Sequence, residues 1–339
     1  MRKIIIVVIL FLAVSLVIFS FSELKNIVET LQRANPWFLV LALLVQALWF
    51  FVLGWTFQSI FGALGLKESR RRLTLVAAAS GFVSIVTPSA GVGGLALFVA
   101  DGRSRGLPSG KVTLAGALYI LLDQAAFLCV LAVAIVVLIR RNHLGAGEIT
   151  ASLILLGIAC ILAFLLFLGY RSAEALGEAL AKIVRIVNRI VGPIIHRDYL
   201  SEARARAFGF EIAEGLSSLP ERPRSLIRPF MLSLANKVLL MGVLICSLLS
   251  FDVPFSAGTI IGGFAIAYLF LIVSPTPSGI GVVEGVMALA LSSLRVDFSQ
   301  AVIITLVYRG ITFWLPLVVG AVAFRALQAT GTKAPEIQT

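Results

Sequence analysis

The sequence predicts an all-α, polytopic integral membrane protein with six full spans and two re-entrant, broken-helix hairpins arranged as an inverted repeat. Three observations predict it. Hydrophobic residues make up 59% of the 339 residues and charged residues only 13%, about half the share that a water-soluble surface needs. The apolar residues fall into long runs separated by short polar stretches. Two of those runs are interrupted near their middles by closely similar proline- and glycine-rich segments. Helices are the expected spanning element, because a helix satisfies its own backbone polar groups in lipid.

Taken in order, Met1-Arg2-Lys3 followed by apolar Ile4 to Phe21 has the outline of a signal peptide. No small-residue cleavage site follows it and further spans do, so it is read as a retained first span. The second span runs from Trp37 to Phe61 and leads into a basic loop with Lys67, Arg70, Arg71 and Arg72. The next run, Leu73 to Ala100, is broken at Thr87-Pro88-Ser89-Ala90-Gly91-Val92-Gly93-Gly94. Proline removes a helix donor and glycine loosens the backbone, so the helix should stop there and restart. Basic residues flank the run on both sides, which reads as a hairpin entering and leaving on one face. Full spans follow from Val112 to Leu138 and from Ile149 to Tyr170.

A polar stretch, Arg171 to Arg228, separates the two halves, about 37–170 and 229–325. Within it Leu176, Leu180, Ile183, Val187, Ile190 and Ile194 form one stripe, with Lys182, Arg185 and Arg189 off it. That is an amphipathic helix ending near Gly192-Pro193, suited either to a membrane surface or to packing beneath the bundle. The next span is Pro229 to Phe251. The second broken run, Ala257 to Leu294, contains Ser274-Pro275-Thr276-Pro277-Ser278-Gly279-Ile280-Gly281. The last span covers Ala301 to Phe324, the membrane domain 1–327, and residues 328–339 form a polar tail.

With the N-terminus cytoplasmic, 21 Lys and Arg fall on the cytoplasmic side and five outside. That asymmetry follows the positive-inside rule and places both termini in the cytoplasm. It also accounts for the net charge of +11 without nucleic acid. Cys129, Cys160 and Cys246 lie inside apolar runs with no paired or metal-ligand spacing, and His143 and His196 are far apart. Neither a metal, nor a cofactor, nor a nucleophile–base pair is implied, and no Walker-type phosphate loop suggests ATP use. The chain is read as a non-enzyme.

The two breaks resemble each other. Ile85-Val86-Thr87-Pro88 parallels Ile272-Val273-Ser274-Pro275, and a Gly-x-Gly follows each, Gly91/Gly93 and Gly279/Gly281. One hairpin enters from each face in the topology above, an inversion that points to transport by alternating access. A helix restarting after such a break presents free N–H groups and a positive dipole end, a site for an anion such as a phosphate. Ser89 and either Thr276 or Ser278 are candidate caps for those ends.

Asp123, Lys237, Glu284 and Arg309 fall within apolar segments. A central Asp, Lys or Arg costs roughly 2.5–3.5 kcal/mol on insertion scales, so each needs a partner or water. Two acids and two bases can neutralise one another. Glu284, one turn into the restarted helix, and Arg309, in the next span, are expected as partners bordering a cavity. Arg309 would receive an anionic headgroup, with Glu284 holding it or exchanging a proton. For Asp123 and Lys237 a purely structural role is an equal reading.

The run Ser274 to Gly285, with Glu284 inside it and Arg309 in the following helix, resembles the signature of the lysylphosphatidylglycerol synthase transmembrane family, a flippase-like domain. Thr87-Pro88, Gly91, Gly93, Gly94 and Asp123 resemble its first half. Leu95 and Ala96 stand where family members often carry an acid, and Ile120, Leu121 and Leu122 where they often carry charge. The resemblance implies movement of a polar-headgroup lipid across the cytoplasmic membrane, with Glu284 and Arg309 as functional residues. Membrane lipids are then the expected partners, and self-association stays open. The longest polar stretch is too short for a soluble aminoacyl-transfer domain. The residues leave two other readings: an accessory protein presenting a lipid-linked sugar to a glycosyltransferase or other lipid-modifying enzyme, and a secondary transporter for a small anion.

Overall fold

A computed structural model describes residues 34–86, 92–140, 167–195, 201–217, 223–274 and 276–329, with isolated helical positions between 157 and 165. The expected first span, most of the span at 149–170 and the polar tail beyond Ala329 lie outside these residues. So do Pro88, Ser89, Gly91 and Pro275. The described residues are helical, with no strand among them.

The helices are α1 (Pro36–Ala63), α2 (Arg70–Val86), α3 (Val92–Ser104), α4 (Ser109–Arg140), α5 (Ala173–Ile195), α6 (Glu202–Ser217), α7 (Ile227–Ser250), α8 (Ala257–Val273), α9 (Val282–Ser293), α10 (Phe298–Arg309) and α11 (Leu315–Ala329). Four stretches are long and apolar enough to cross a membrane: Pro36–Ala63, Ser109–Val137, Ile227–Ser250 and Phe298–Ala329. They correspond to four of the six expected spans. The chain is therefore a multi-pass membrane protein in these segments. α3 and α9 are much shorter. At about 1.5 Å per residue they reach roughly 20 and 18 Å, less than the ~30 Å of a hydrocarbon core.

The two interrupted runs are both hairpins. α2 packs against α3, and α8 against α9. Small residues allow the close approach. A Cβ on Gly94 of α3 would sit 2.4 Å from the Ser80 carbonyl oxygen of α2, and one on Gly263 of α8 would lie 2.8 Å from Leu291 of α9. α2 is gripped on a second side by α11, where a Cβ on Gly320 would meet the Ala78 carbonyl oxygen at 2.6 Å.

Hydrogen bonds fix which ends lie together. The Asn35 N–H donates to the Ser250 carbonyl at 2.7 Å, setting the start of α1 against the end of α7. At the other end of α1, Lys111 Nζ donates to the Leu64 carbonyl at 3.3 Å. There Arg105 pairs with Glu68 at 2.7 Å and Arg72 pairs with Asp101. This basic end holds the start of α2 and the end of α3. The start of α8 and the end of α9 meet at the opposite end, where Thr259 Oγ1 donates to the Leu294 carbonyl. The start of α2 and the end of α3 thus lie at the basic end, and the start of α8 and the end of α9 at the opposite end.

The amphipathic helix is α5, and it runs two residues past Pro193 to Ile195. A proline so close to the end removes a single helical hydrogen bond, which does not stop the last turn. α5 packs on α6, and α6 packs on α4. At the crossing a Cβ on Gly209 would lie 2.8 Å from the Gly177 Cα, so position 209 requires glycine for this approach. Arg185 and Arg206 tie the pair through Glu202 and Glu178, each at 2.8 Å. The Arg185 hydrogen bond holds the Glu202 carboxyl below its ordinary range. The stripe is divided: Leu176 is buried in the core and Leu180 packs against it, while Ile183 is exposed. Neither of the two expected placements holds for the whole helix.

Two hydrophobic clusters result. One, around Phe57, Leu73, Leu97, Leu114 and Leu327, lies towards the basic end. The other gathers Phe127, Val243, Phe264, Met287 and Ile304. Trp49 of α1 touches both.

Candidate functional site

Between the clusters lies a cavity of about 170 Å³ lined by Trp49, Tyr119, Asp123, Asn236, Lys237, Tyr268, Tyr308, Arg309 and Thr312, among others. These come from α1, α4, α7, α8, α10 and the turn after α10, segments up to 263 residues apart in sequence. Three of the four charges found inside apolar runs therefore reach one place.

Asp123 and Lys237 are direct partners. Lys237 Nζ donates to Asp123 Oδ1 at 2.6 Å, and the lysine is only 2% exposed. The second carboxylate oxygen, Oδ2, accepts the Tyr268 hydroxyl at 3.0 Å, and Lys237 also donates to that hydroxyl. The Tyr268 ring is fixed between Phe127 and Phe264, with ring centres 4.6 and 5.4 Å away. Its hydroxyl is thereby aimed at the ion pair. An isolated charge here would be prohibitive, whereas a carboxylate with both oxygens occupied and an ammonium with two acceptors is tolerated.

Glu284 and Arg309 form the second pair. Arg309 Nε donates to Glu284 Oε1 at 2.7 Å, and its terminal nitrogen donates to the Ser278 carbonyl at 3.0 Å. Its guanidinium also lies 4.4 Å from the centre of the Phe313 ring. Glu284 stands behind Arg309 and does not line the cavity. Its Oε2 accepts the Gly281 N–H at 2.8 Å. The restarted helix α9 is therefore capped by its own carboxylate. This corrects the expectation that Thr276 or Ser278 supplies the cap. Thr276 and Ser274 instead bond to each other at 2.8 Å. A carboxylate at the third helical position carries full negative charge to the positive dipole end, which a hydroxyl cannot do. The dipole end of α9 is thus already occupied.

The break itself is tightly wound. Pro277–Gly279 form one 3₁₀ turn, and Ser278, Gly279 and Gly281 all have φ between 51° and 80°. Glycine adopts this conformation freely and serine at a cost, so Ser278 is a strained position whose carbonyl is turned to Arg309. Gly93 lies in the first turn of α3.

Three features of the site were not anticipated from the sequence. Both amide atoms of Asn236, 2% exposed and on the cavity wall, have no hydrogen-bond partner among the described residues. Its position immediately before Lys237 in an apolar span was the available signal. Tyr268 was hidden in an apolar run where tyrosine passes for an ordinary packing residue. After Arg309 the helix widens into a π turn, Gly310–Trp314, closed by the Leu315 N–H on the Gly310 carbonyl. Pro316 explains it: proline has no N–H for Thr312 and its ring crowds that carbonyl, and a wider turn relieves both. Thr312 then lines the cavity and Phe313 meets Arg309.

The charges around the cavity sum to zero, two acids against two bases, with amide and hydroxyl groups between them. Among the described residues no three His, Cys, Asp or Glu side chains gather into a metal-holding group. Comparison with known families adds a match to the Lysylphosphatidylglycerol synthase TM region over residues 4–320. The chain belongs to this family. Family membership covers both hairpins, both ion pairs and the cavity, and relates the domain to lipid handling. No protein of curated function matches the chain significantly.

Proposed function

We propose that this membrane protein moves a lipid with an anionic or zwitterionic headgroup across the cytoplasmic membrane. The headgroup occupies the central cavity while the acyl chains remain in the bilayer. One observation carries the reading. Asp123, Lys237 and Arg309, charges that cost about 2.5–3.5 kcal/mol each in lipid, converge from three helices on one hollow space inside membrane-spanning segments.

The hairpins support it. Read as an inverted repeat, α2–α3 and α8–α9 dip in from opposite faces and bring their broken tips towards the interior, the arrangement by which two halves alternate access to one site. On the positive-inside rule the basic end faces the cytoplasm. Arg309 meets the negative part of the headgroup, and Asn236 supplies a donor and an acceptor. Glu284 holds Arg309 and is the candidate to carry a proton if transport is coupled to a gradient. The protein acts as a transporter and performs no covalent chemistry.

The test is a proteoliposome assay with fluorescent lipids of several headgroups. Wild type should move at least one of them, and Arg309→Ala should slow it by on the order of tenfold or more, the loss of a charge-assisted contact. Glu284→Gln should reduce the rate and remove any pH-gradient dependence. Folded protein that moves none of the lipids sinks the proposal. So does an active protein indifferent to both substitutions.

A further inference from the structure

We propose a second lipid site, at the basic end, between the end of α1 and the start of α7, which binds the phosphate of an anionic membrane lipid. It is separate from the central cavity and does not depend on transport.

A groove of about 440 Å³ lies there, lined by Trp55, Gln58, Ser59, Ser225 and Arg228 among others. Trp55 is its centre. The Arg228 guanidinium lies 5.4 Å from the Trp55 ring centre and that of Arg70 lies 4.9 Å from it. Arg70 is held by its Nε hydrogen bond to Gln58 Oε1 at 3.1 Å. Neither arginine has a carboxylate partner among the described residues. Arg72, Arg105, Arg185, Arg206 and Arg309 all do. Two guanidinium groups thus lie within 5.4 Å of one aromatic ring centre in the half of α1 nearer the basic end, and tryptophan is favoured near headgroups.

The surface leading away from the groove suits acyl chains. Leu41, Leu44, Leu48 and Phe51 recur at steps of three and four before Trp55 and are 45–61% exposed. They form one apolar stripe on α1. Ile227 and Met231 continue the exposed apolar surface on α7. The headgroup class follows from charge. Among the described residues no acidic side chain lines the groove. Among the described residues a choline or ethanolamine ammonium finds no carboxylate there, whereas an unbalanced phosphate meets the Arg228 guanidinium, with Arg70 on the same Trp55 ring.

The experiment uses the full chain in detergent micelles with Trp37, Trp49 and Trp314 changed to Phe, leaving Trp55 as the reporter. Quenching by brominated phosphatidylglycerol is compared with brominated phosphatidylcholine. The expected preference for phosphatidylglycerol is on the order of tenfold for two basic side chains. It should vanish in Arg228→Gln, weaken in Arg70→Gln and persist in Arg295→Gln at the opposite end. Should the triple-Phe protein not fold, co-purification of phosphatidylglycerol is measured instead, comparing wild type with Arg228→Gln. Equal quenching by the two lipids, or a preference that survives both arginine substitutions, overturns the site. Relief of quenching by millimolar inorganic phosphate would make it a soluble-anion site and overturn the lipid assignment.

Discussion

At the residue scale, Asp123, Lys237, Glu284 and Arg309 were legible in the sequence because an ionised group in an apolar span has few acceptable environments. Which charge meets which was less so. The link from Asp123 to Lys237 crosses 114 residues, and no local spacing announces it. Tyr268 and Asn236 escaped notice because a hydroxyl or amide in a helix costs less than a charge and so signals less. The pairing makes a specific prediction. Lys237→Met leaves the Asp123 carboxylate buried opposite a methyl group and should lower stability by about 3–5 kcal/mol. Asp123→Asn combined with Lys237→Met removes both charges and should recover most of that loss. Thermal unfolding in detergent measures both. A single variant as stable as wild type would show that the ion pair does not hold α4 to α7.

At the element scale the helix breaks were readable, since proline and glycine act on the backbone wherever they stand. The stripe of α5 was also readable, but its destination was not. Periodicity records an apolar face without saying whether lipid or protein covers it, and here Leu176 is covered while Ile183 is not. The glycine contacts that clamp α2 were invisible, because glycine in a helix looks the same whether or not a neighbour presses on it. Gly94→Ala and Gly320→Ala each place a methyl group within 2.6 Å of a backbone oxygen. Each should destabilise the protein by about 1–3 kcal/mol, as overpacking does. Gly81, also in α2, has open space beside it. Gly81→Ala should be neutral or stabilising by up to ~1 kcal/mol. The same unfolding measurement separates them, and equal effects at the three positions would refute the clamp.

For the whole molecule, the hydrogen bonds at the two ends set Lys67 and Ser299 on opposite sides of the bundle. With the native cysteines replaced by alanine, Lys67→Cys and Ser299→Cys should react with an impermeant maleimide from opposite faces of sealed vesicles. Labelling from one face would overturn the end assignment on which the opposed hairpins rest. The positive-inside pattern offers an expectation for the sidedness of the loops from sequence alone, whereas the cavity could emerge only from packing. Its most telling detail is the surplus residue in the wide turn after Arg309. Were that turn to relax into regular α-helix, everything before it would swing by about 100° relative to α11, and the guanidinium would leave the hollow. Aim therefore resides in a count of residues, the interval from Arg309 to Pro316, as much as in what those residues are. A one-residue deletion inside that interval would keep every charge in the chain and still point this one elsewhere.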